Sequence, residues 1–329
     1  MNYEFDLLEL GDADAIIIGQ VINDQQYITL VDAGNEGDGK KIKAHLQKYY
    51  NTTTIDLAIC THADGDHKGG FFDLLQDPGV TIHEFWLADP ALYLGLTGVD
   101  IVNARKIFDS ADGKQNLIDL VINKCDEDKA LNVTVGTKHE VIPIAVIGPC
   151  VEYMKSVLQQ AISTDVTTKY EDEDTEEYDE AAKVDDDEVK SVIDKENDDP
   201  SPFNCSSLVL LYDDGIDKFL LAGDASRASL TEILTRMPEM KGHIAYFKVP
   251  HHGSKHNLTT VIIDDLKPKQ SFISAAGNKK HPNQSIAYCL SNYGDVYSTH
   301  LTHSYIHHRK NGGIVRPGEV DIDPYRKKK

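Results

Sequence analysis

No apolar run in this 329-residue chain approaches the roughly 20 residues that cross a bilayer. The opening stretch, MNYEFDLLELGDADAIII, carries acids where a secretory leader carries bases. No signal peptide is read there, and a cytoplasmic location is expected. Cysteine is sparse. Cys60, Cys125, Cys150, Cys205 and Cys289 are scattered without CxxC spacing, which argues against a disulfide scaffold or a thiolate metal site. Each reads as a small buried hydrophobe. Positive charge is also short, with 33 Lys and Arg against 54 Asp and Glu. A surface built to grip a long duplex needs several basic contacts to phosphate, and this composition does not supply them. No internal repeat occurs at a fixed period.

The chain does hold 40% apolar residues, enough for a sizeable core in a globular protein. The net charge of −21 is concentrated. Residues 171–199 carry 16 acids against three lysines, a local net of −13. The other 300 residues carry only −8. Residues 165–201 are poor in large apolar side chains and read as an exposed, largely disordered insertion in a single domain spanning 1–329. A charged surface helix around 176–195 is the alternative.

Short apolar runs between turn residues mark strands at Tyr3–Leu10, Ala15–Ile18, Tyr27–Val31, Thr54–Cys60, Val80–Leu87, Val141–Gly148, His243–Val249 and Ser271–Ala275. Ser207–Tyr212 and Lys218–Ala222 form a hairpin pattern around Asp213-Asp214-Gly215. Helical spacing appears at 39–50, Gly70–Leu75, 98–124 and 226–237. Strands and helices followed by strands and helices again fit two packed sheets with helices outside.

The densest chemistry is Thr61-His62-Ala63-Asp64-Gly65-Asp66-His67-Lys68-Gly69-Gly70, directly after an apolar strand. His62, Asp64, Asp66 and His67 are four potential metal ligands within six residues. Imidazole suits zinc, iron or manganese, and carboxylates add charge for harder ions. Two carboxylates this close repel each other, and a cation offsets that. Gly65, Gly69 and Gly70 are expected to let the backbone turn tightly around the ions. An acidic surface turn is the plainer reading, disfavoured by the strand before it. Further candidates also follow apolar strands: Asp224 in FLLAGD and the pair His251-His252 in VPHHGS. Asp224 suits a carboxylate bridging two ions, or the N-cap of the next helix.

HADGDH resembles the HxHxDH signature of metallo-β-lactamase-fold hydrolases in its HxDxDH variant. With GDADAIII, NCSSLVLLY, FLLAGD and VPHHGS, it resembles the hydrolase domain of the ComEC competence proteins and is similar to phosphorylcholine-esterase-like members. These matches run from residue 11 to 282. The resemblance implies an α/β fold, the four-layer αββα sandwich, and two divalent ions, zinc or manganese with iron as a third choice. It implies His62 and Asp64 on one ion, Asp66 and His67 on the other, and Asp224 between them. It further implies one of His251 and His252 as a ligand, with His252 favoured and His251 then near the substrate oxyanion. The second His of the signature is Asp64 here. The family's later His is absent, with Asn204 and Ser206 in its region.

Asp66, His251 and His281 are the candidate catalytic residues. Asn204, Ser206, Ser254 and His256 are candidates for substrate or weak metal contact. His300, His303, His307 and His308, followed by Arg309 and Lys310, read as a solvated strand or a basic rim. Lys248, Lys255, Lys279 and Lys280 join that rim. Ser254 lacks an orienting acid, which argues against a serine hydrolase. The expected activity is metal-dependent hydrolysis, with a phosphodiesterase or nuclease favoured. The alternatives are hydrolysis of a lactone, thioester or amide, or a non-catalytic regulatory role. A phosphate-ester substrate such as a nucleotide or short nucleic acid is expected. No membrane is expected as a partner, and a protein partner is left open.

Overall fold

The computed structural model describes residues 2–125, 129–163, 186–302, 304–309 and 324. Thirteen strands among them form two mixed sheets. The first sheet contains β1 (Asn2–Leu8), β2 (Ile16–Ile22), β3 (Gln25–Val31), β4 (Thr54–Ile59), β5 (Thr81–Leu87), β6 (Ala130–Asn132) and β13 (Tyr305–Arg309). The second contains β7 (Ile144–Gly148), β8 (Val209–Asp213), β9 (Lys218–Leu221), β10 (Tyr246–Lys248), β11 (Gln270–Ile273) and β12 (Asp295–Ser298). Their orders are β13-β1-β2-β3-β4-β5-β6 and β12-β11-β10-β9-β8-β7. Each sheet is antiparallel at one end and parallel at the other. The change falls after β3 in the first sheet and after β9 in the second.

Period-two alternation builds the layers. In β8, Leu210 and Tyr212 join the core shared with the first sheet, while Val209 and Leu211 join a separate outer core. Rings meet across the gap between the sheets: Phe5 with Phe219 at 4.4 Å and Tyr3 with Tyr212 at 5.4 Å, both edge-to-face. Each fully buried ring of this kind contributes on the order of 1.5–3 kcal/mol.

The helices are α1 (Gly39–His45), α2 (Gly65–Gln76), α3 (Pro90–Leu94), α4 (Val99–Arg105), α5 (Leu117–Lys124), α6 (Val151–Ser163), α7 (Asp186–Lys195), α8 (Pro202–Cys205), α9 (Arg227–Arg236), α10 (Thr260–Leu266) and α11 (Gln284–Leu290). Apolar residues of α1, α2 and α5 pack into the core of the first sheet, and those of α9, α10 and α11 into the outer core of the second. None of the described helices is long and apolar enough to cross a membrane.

Several expectations change. The helix after HADGDH begins at Gly65 rather than Gly70, which places Asp66 and His67 in its first turn. The helical stretch 98–124 is broken by a bridge between Asp109 and Asn116. Most of the acidic segment, 164–185, lies outside the described residues. The exposed stretch expected at 165–201 does not extend through its last part. α7 buries Val189 and Ile193 in the outer core, and Asp199 and Ser201 are buried. Arg227 holds this segment by donating to the carbonyls of Ile193 and Glu196 and to that of Lys255.

The glycines also play a different part. Gly65 and Gly69–Gly70 are helical. A Cβ on Gly70 would lie 2.0 Å from the Ala33 carbonyl, and one on Gly69 2.3 Å from the Glu36 nitrogen. Close packing of α2 on the 33–36 loop, not turning, requires these two. Gly70→Ala should cost about 1–3 kcal/mol or more in urea denaturation. Gly65→Ala meets nothing within 4 Å and should stay within about 0.5 kcal/mol. Equal losses would contradict this packing role.

Candidate metal centre

The candidate ligands lie at one edge of the two sheets, where parallel strands end. β4 leads into His62 and α2, β9 into Asp224, and β10 into His251 and His252. An open α/β sheet gathers functional groups at this edge because the chain must turn there. The antiparallel neighbours β2 and β8 begin at the same edge, which brings in Asp14 and Ser207.

One atom each of Asp66, His67, Asp224 and His252 falls within 4.8 Å of the others, a set that could hold a metal ion. His67 Nε2 lies 3.3 Å from Asp224 Oδ1, and His252 Nε2 lies 3.0 Å from Asp66 Oδ2. His62 Nε2 lies 3.9 Å from the other Asp224 oxygen, Oδ2, and 3.8 Å from Asp64 Oδ2. Asp224 thus presents one oxygen to each of two histidines. It does not cap α9, whose N-cap is Ser226, so the capping alternative falls. Asp64 makes no side-chain capping bond to α2. The Asp64 and Asp66 side chains are 34% and 30% exposed, which opens the cluster to solvent on their side.

The histidine tautomers follow from their partners. Thr61 donates its hydroxyl proton to Asp32, so at 3.1 Å it can only accept from His62 Nδ1. The Ser207 hydroxyl also meets that nitrogen, at 3.0 Å. His67 Nδ1 donates to Asp32 at 2.8 Å, and His252 Nδ1 donates to the Ser274 carbonyl at 2.9 Å. All three rings are anchored through Nδ1 and turn Nε2 inward, as metal-ligating imidazoles do. Among the described residues, the buried Nε2 atoms of His62 and His67 have no hydrogen-bond partner. Such orphans are costly unless something else meets them.

The electrostatics fit a cation. Burial, then the neighbouring His67, holds His62 down at about 3, leaving it neutral and able to ligate. Burial would lower His67 too, but Asp224, Asp32 and Asp66 outweigh it and raise it well above its ordinary value. Burial pushes Asp66 and Asp224 up, and His67 leads the groups that hold both below the usual carboxylate range. This crowd of carboxylates favours positive charge, and the orphaned imidazole nitrogens suit a borderline divalent ion. The donor set therefore fits a metal.

Two neighbouring residues have left-handed backbone, His251 at φ 45° and His252 at φ 52°. Such non-glycine geometry costs energy and persists where the surroundings impose it. It sends the two rings in different directions. His252 enters the cluster, while His251 turns to Asp199 at 2.8 Å. His281 completes a triangle of rings, 5.5 Å from His251 and 5.7 Å from His252. Burial, with the charges of His252 and His251 behind it, lowers His281 to about 2.

Other candidates sit elsewhere. Asn204 donates to Asp199 at 2.9 Å and keeps a buried Oδ1 without a hydrogen-bond partner among the described residues. Ser206 gives its hydroxyl to the Phe203 carbonyl, so Ser207 is the serine at the site. Ser254 accepts from the backbone of His256, and His256 Nδ1 meets the Asn197 carbonyl at 3.0 Å. The basic rim shrinks. Lys248 is buried against Asp14 at 2.5 Å, and Lys255 is buried against Glu196 at 2.9 Å. His307 is turned to Asp6 at 2.6 Å, His308 packs on Tyr246 at 4.4 Å, and His303 and Lys310 lie outside the described residues.

Sequence reasoning missed Asp32, Asp199 and Ser274, and took in Asp14 only as part of GDADAIII. Asp32 carried a signal, a lone Asp at a strand end. No known family profile matches the chain. The chain is similar to ComE operon protein 3 of Bacillus subtilis (strain 168), with 35% identity over 104 residues. The match covers 31% of this chain, and the aligned segment is 13% of that relative.

Proposed function

We propose that the chain is a metal-dependent hydrolase of the metallo-β-lactamase fold, acting on a phosphodiester. The observation that carries this reading is Asp224, whose two oxygens face His62 and His67 separately. That arrangement suits a carboxylate bridging two ions. His62 and Asp64 would hold one ion, and Asp66, His67 and His252 the other. Zinc or manganese fits best, and iron is compatible with the same donors. A bound pair of ions supplies Lewis-acid charge and a water of lowered pKa.

The protein's own groups do the rest. Asp32, Thr61, Ser207 and Ser274 fix the ligand rings through their Nδ1 atoms. Asp66, one-third exposed, can orient the attacking water. His251 and His281 stand beside the cluster to meet substrate oxygens.

Substrate size follows from charge. Lys248 and Lys255, two of the cations expected at the rim, are buried and paired with acids instead. Long duplex binding needs a row of cations. A nucleotide, a short single strand or a strand end is the better fit. The ComEC-like motifs read in the sequence favour a phosphodiesterase or nuclease. Lactone, thioester or amide hydrolysis is the second reading, since the same donor set serves those bonds.

The test is a hydrolysis panel on protein reconstituted with zinc or manganese: bis(p-nitrophenyl) phosphate, a short oligonucleotide, a lactone and a thioester. Phosphodiester cleavage that falls little with moderate salt is expected. Inert phosphodiesters with a cleaved lactone or thioester would transfer the assignment to the second reading.

A further inference from the structure

The acidic segment ends by delivering one carboxylate to the edge of the metal centre. Asp199 Oδ2 lies 2.8 Å from His251 Nδ1, and its residue is 6% exposed. It is fixed from three further sides: it accepts from the Ser201 backbone at 2.9 Å, from Asn204 Nδ2 at 2.9 Å and from Asn257 Nδ2 at 3.1 Å. The chain leading to it is clamped by Arg227, by the Lys255–Glu196 pair, and by Asp194, which accepts from Thr260.

This network assigns the proton of His251. Asn257 Nδ2 faces three acceptors: Asp199, the Asp224 carbonyl and the Ala225 carbonyl. Its amide is therefore oriented, and Oδ1 is the atom 3.1 Å from His251 Nδ1. Three groups surround that ring nitrogen: the acceptors Asp199 at 2.8 Å and Asn257 Oδ1 at 3.1 Å, and the donor Asn204 Nδ2 at 3.3 Å. Asn204 gives its shorter bond to Asp199 at 2.9 Å, so the two closer acceptors assign a hydrogen to Nδ1. In the neutral ring Nε2, on the far edge, then presents a lone pair. The His251 side chain is 19% exposed, against 4% for that of His252, and His281 is 6% exposed.

We propose that Asp199 is a positioning residue that locks His251 in the Nδ1–H tautomer. Nε2 then serves as a hydrogen-bond acceptor for the substrate or its attacking water. The proposal rests on the hydrolytic reading for its purpose, but the tautomer stands on its own geometry. It also gives the end of the acidic segment a direct part in the site.

The test uses the full chain loaded with zinc. Nitrogen-15 spectra of histidine-labelled protein should show His251, identified by its loss in His251→Gln, with a protonated Nδ1 and an unprotonated Nε2. In Asp199→Asn, kcat on bis(p-nitrophenyl) phosphate should fall by about a hundredfold, the scale of a displaced proton-handling group. KM and zinc content should hold, and Asp199→Glu should recover part of the loss. A wild-type His251 protonated on Nε2, alone or together with Nδ1, would overturn the proposal. So would unchanged kcat in Asp199→Asn, or loss of zinc along with activity, which marks a structural role. If wild type cleaves no phosphodiester, the functional reading fails while the spectrum still decides the tautomer. The same spectrum decides if neither variant folds.

Discussion

Replacing Asp224 with alanine should remove bound metal and phosphodiester hydrolysis together. The carboxylate is 2% exposed, and its oxygens face two histidines whose Nε2 atoms find no hydrogen-bond partner among the described residues. Without it, neither half of the cluster keeps its full donor set. Outer partners of metal ligands typically cost 10–100-fold when lost, so a shared ligand should cost at least about a hundredfold in affinity. The residue also joins two hydrogen bonds: its backbone N–H donates to the Ser207 hydroxyl, and its side-chain Oδ1 accepts from the His251 N–H. Asp224→Asn keeps much of that hydrogen bonding and should still lose metal, separating ligation from folding. Metal content and kcat measured on both variants check this. Full metal retention by either variant contradicts a bridging role.

The second large effect concerns stability. Lys248 is fully buried, with Nζ 2.5 Å from Asp14 and 2.9 Å from the Val249 carbonyl. Asp14 lies in turn 3.7 Å from His252 and 4.0 Å from His67. Removing one partner of a buried pair leaves an uncompensated charge and typically costs about 3–5 kcal/mol. Lys248→Met should lose that much in urea denaturation. Lys248→Met combined with Asp14→Asn should lose clearly less than the two single changes added together. A Lys248→Met loss under about 1 kcal/mol would refute the pairing.

The grouping of these residues was partly legible in the sequence. His62, Asp64, Asp66 and His67 stand out because they crowd one turn after an apolar strand, and the strand edge brings them beside Asp224 and His252. Asp224 is legible for the same reason. The order of β-strands and helices follows from alternation and period, so two layered sheets could be anticipated. Lys248 could not be placed. Charge patterning sees a basic residue, but strand alternation puts it on the same face as Tyr246, which packs against the core between the sheets. Asp199 was hidden by averaging. Sixteen acids mask Val189 and Ile193, four apart on α7, which bury that helix. Asp14, Asp32 and Ser274 reach the histidines only through the tertiary fold, across 22 to 238 positions of chain; Asp14 sits in GDADAIII and Asp32 ends a strand, but neither place names its partner. The choice between His251 and His252 depended on two left-handed residues, and spacing does not encode that.

The central claim is that this cluster is a metal centre. Elemental analysis of full-length protein, purified without chelator and again after reconstitution, tests it most directly, with His67→Ala in parallel. The account predicts one to two zinc, manganese or iron ions per wild-type chain and a clear loss in His67→Ala. Trace metal in wild type even after reconstitution, far below one ion per chain, would contradict it.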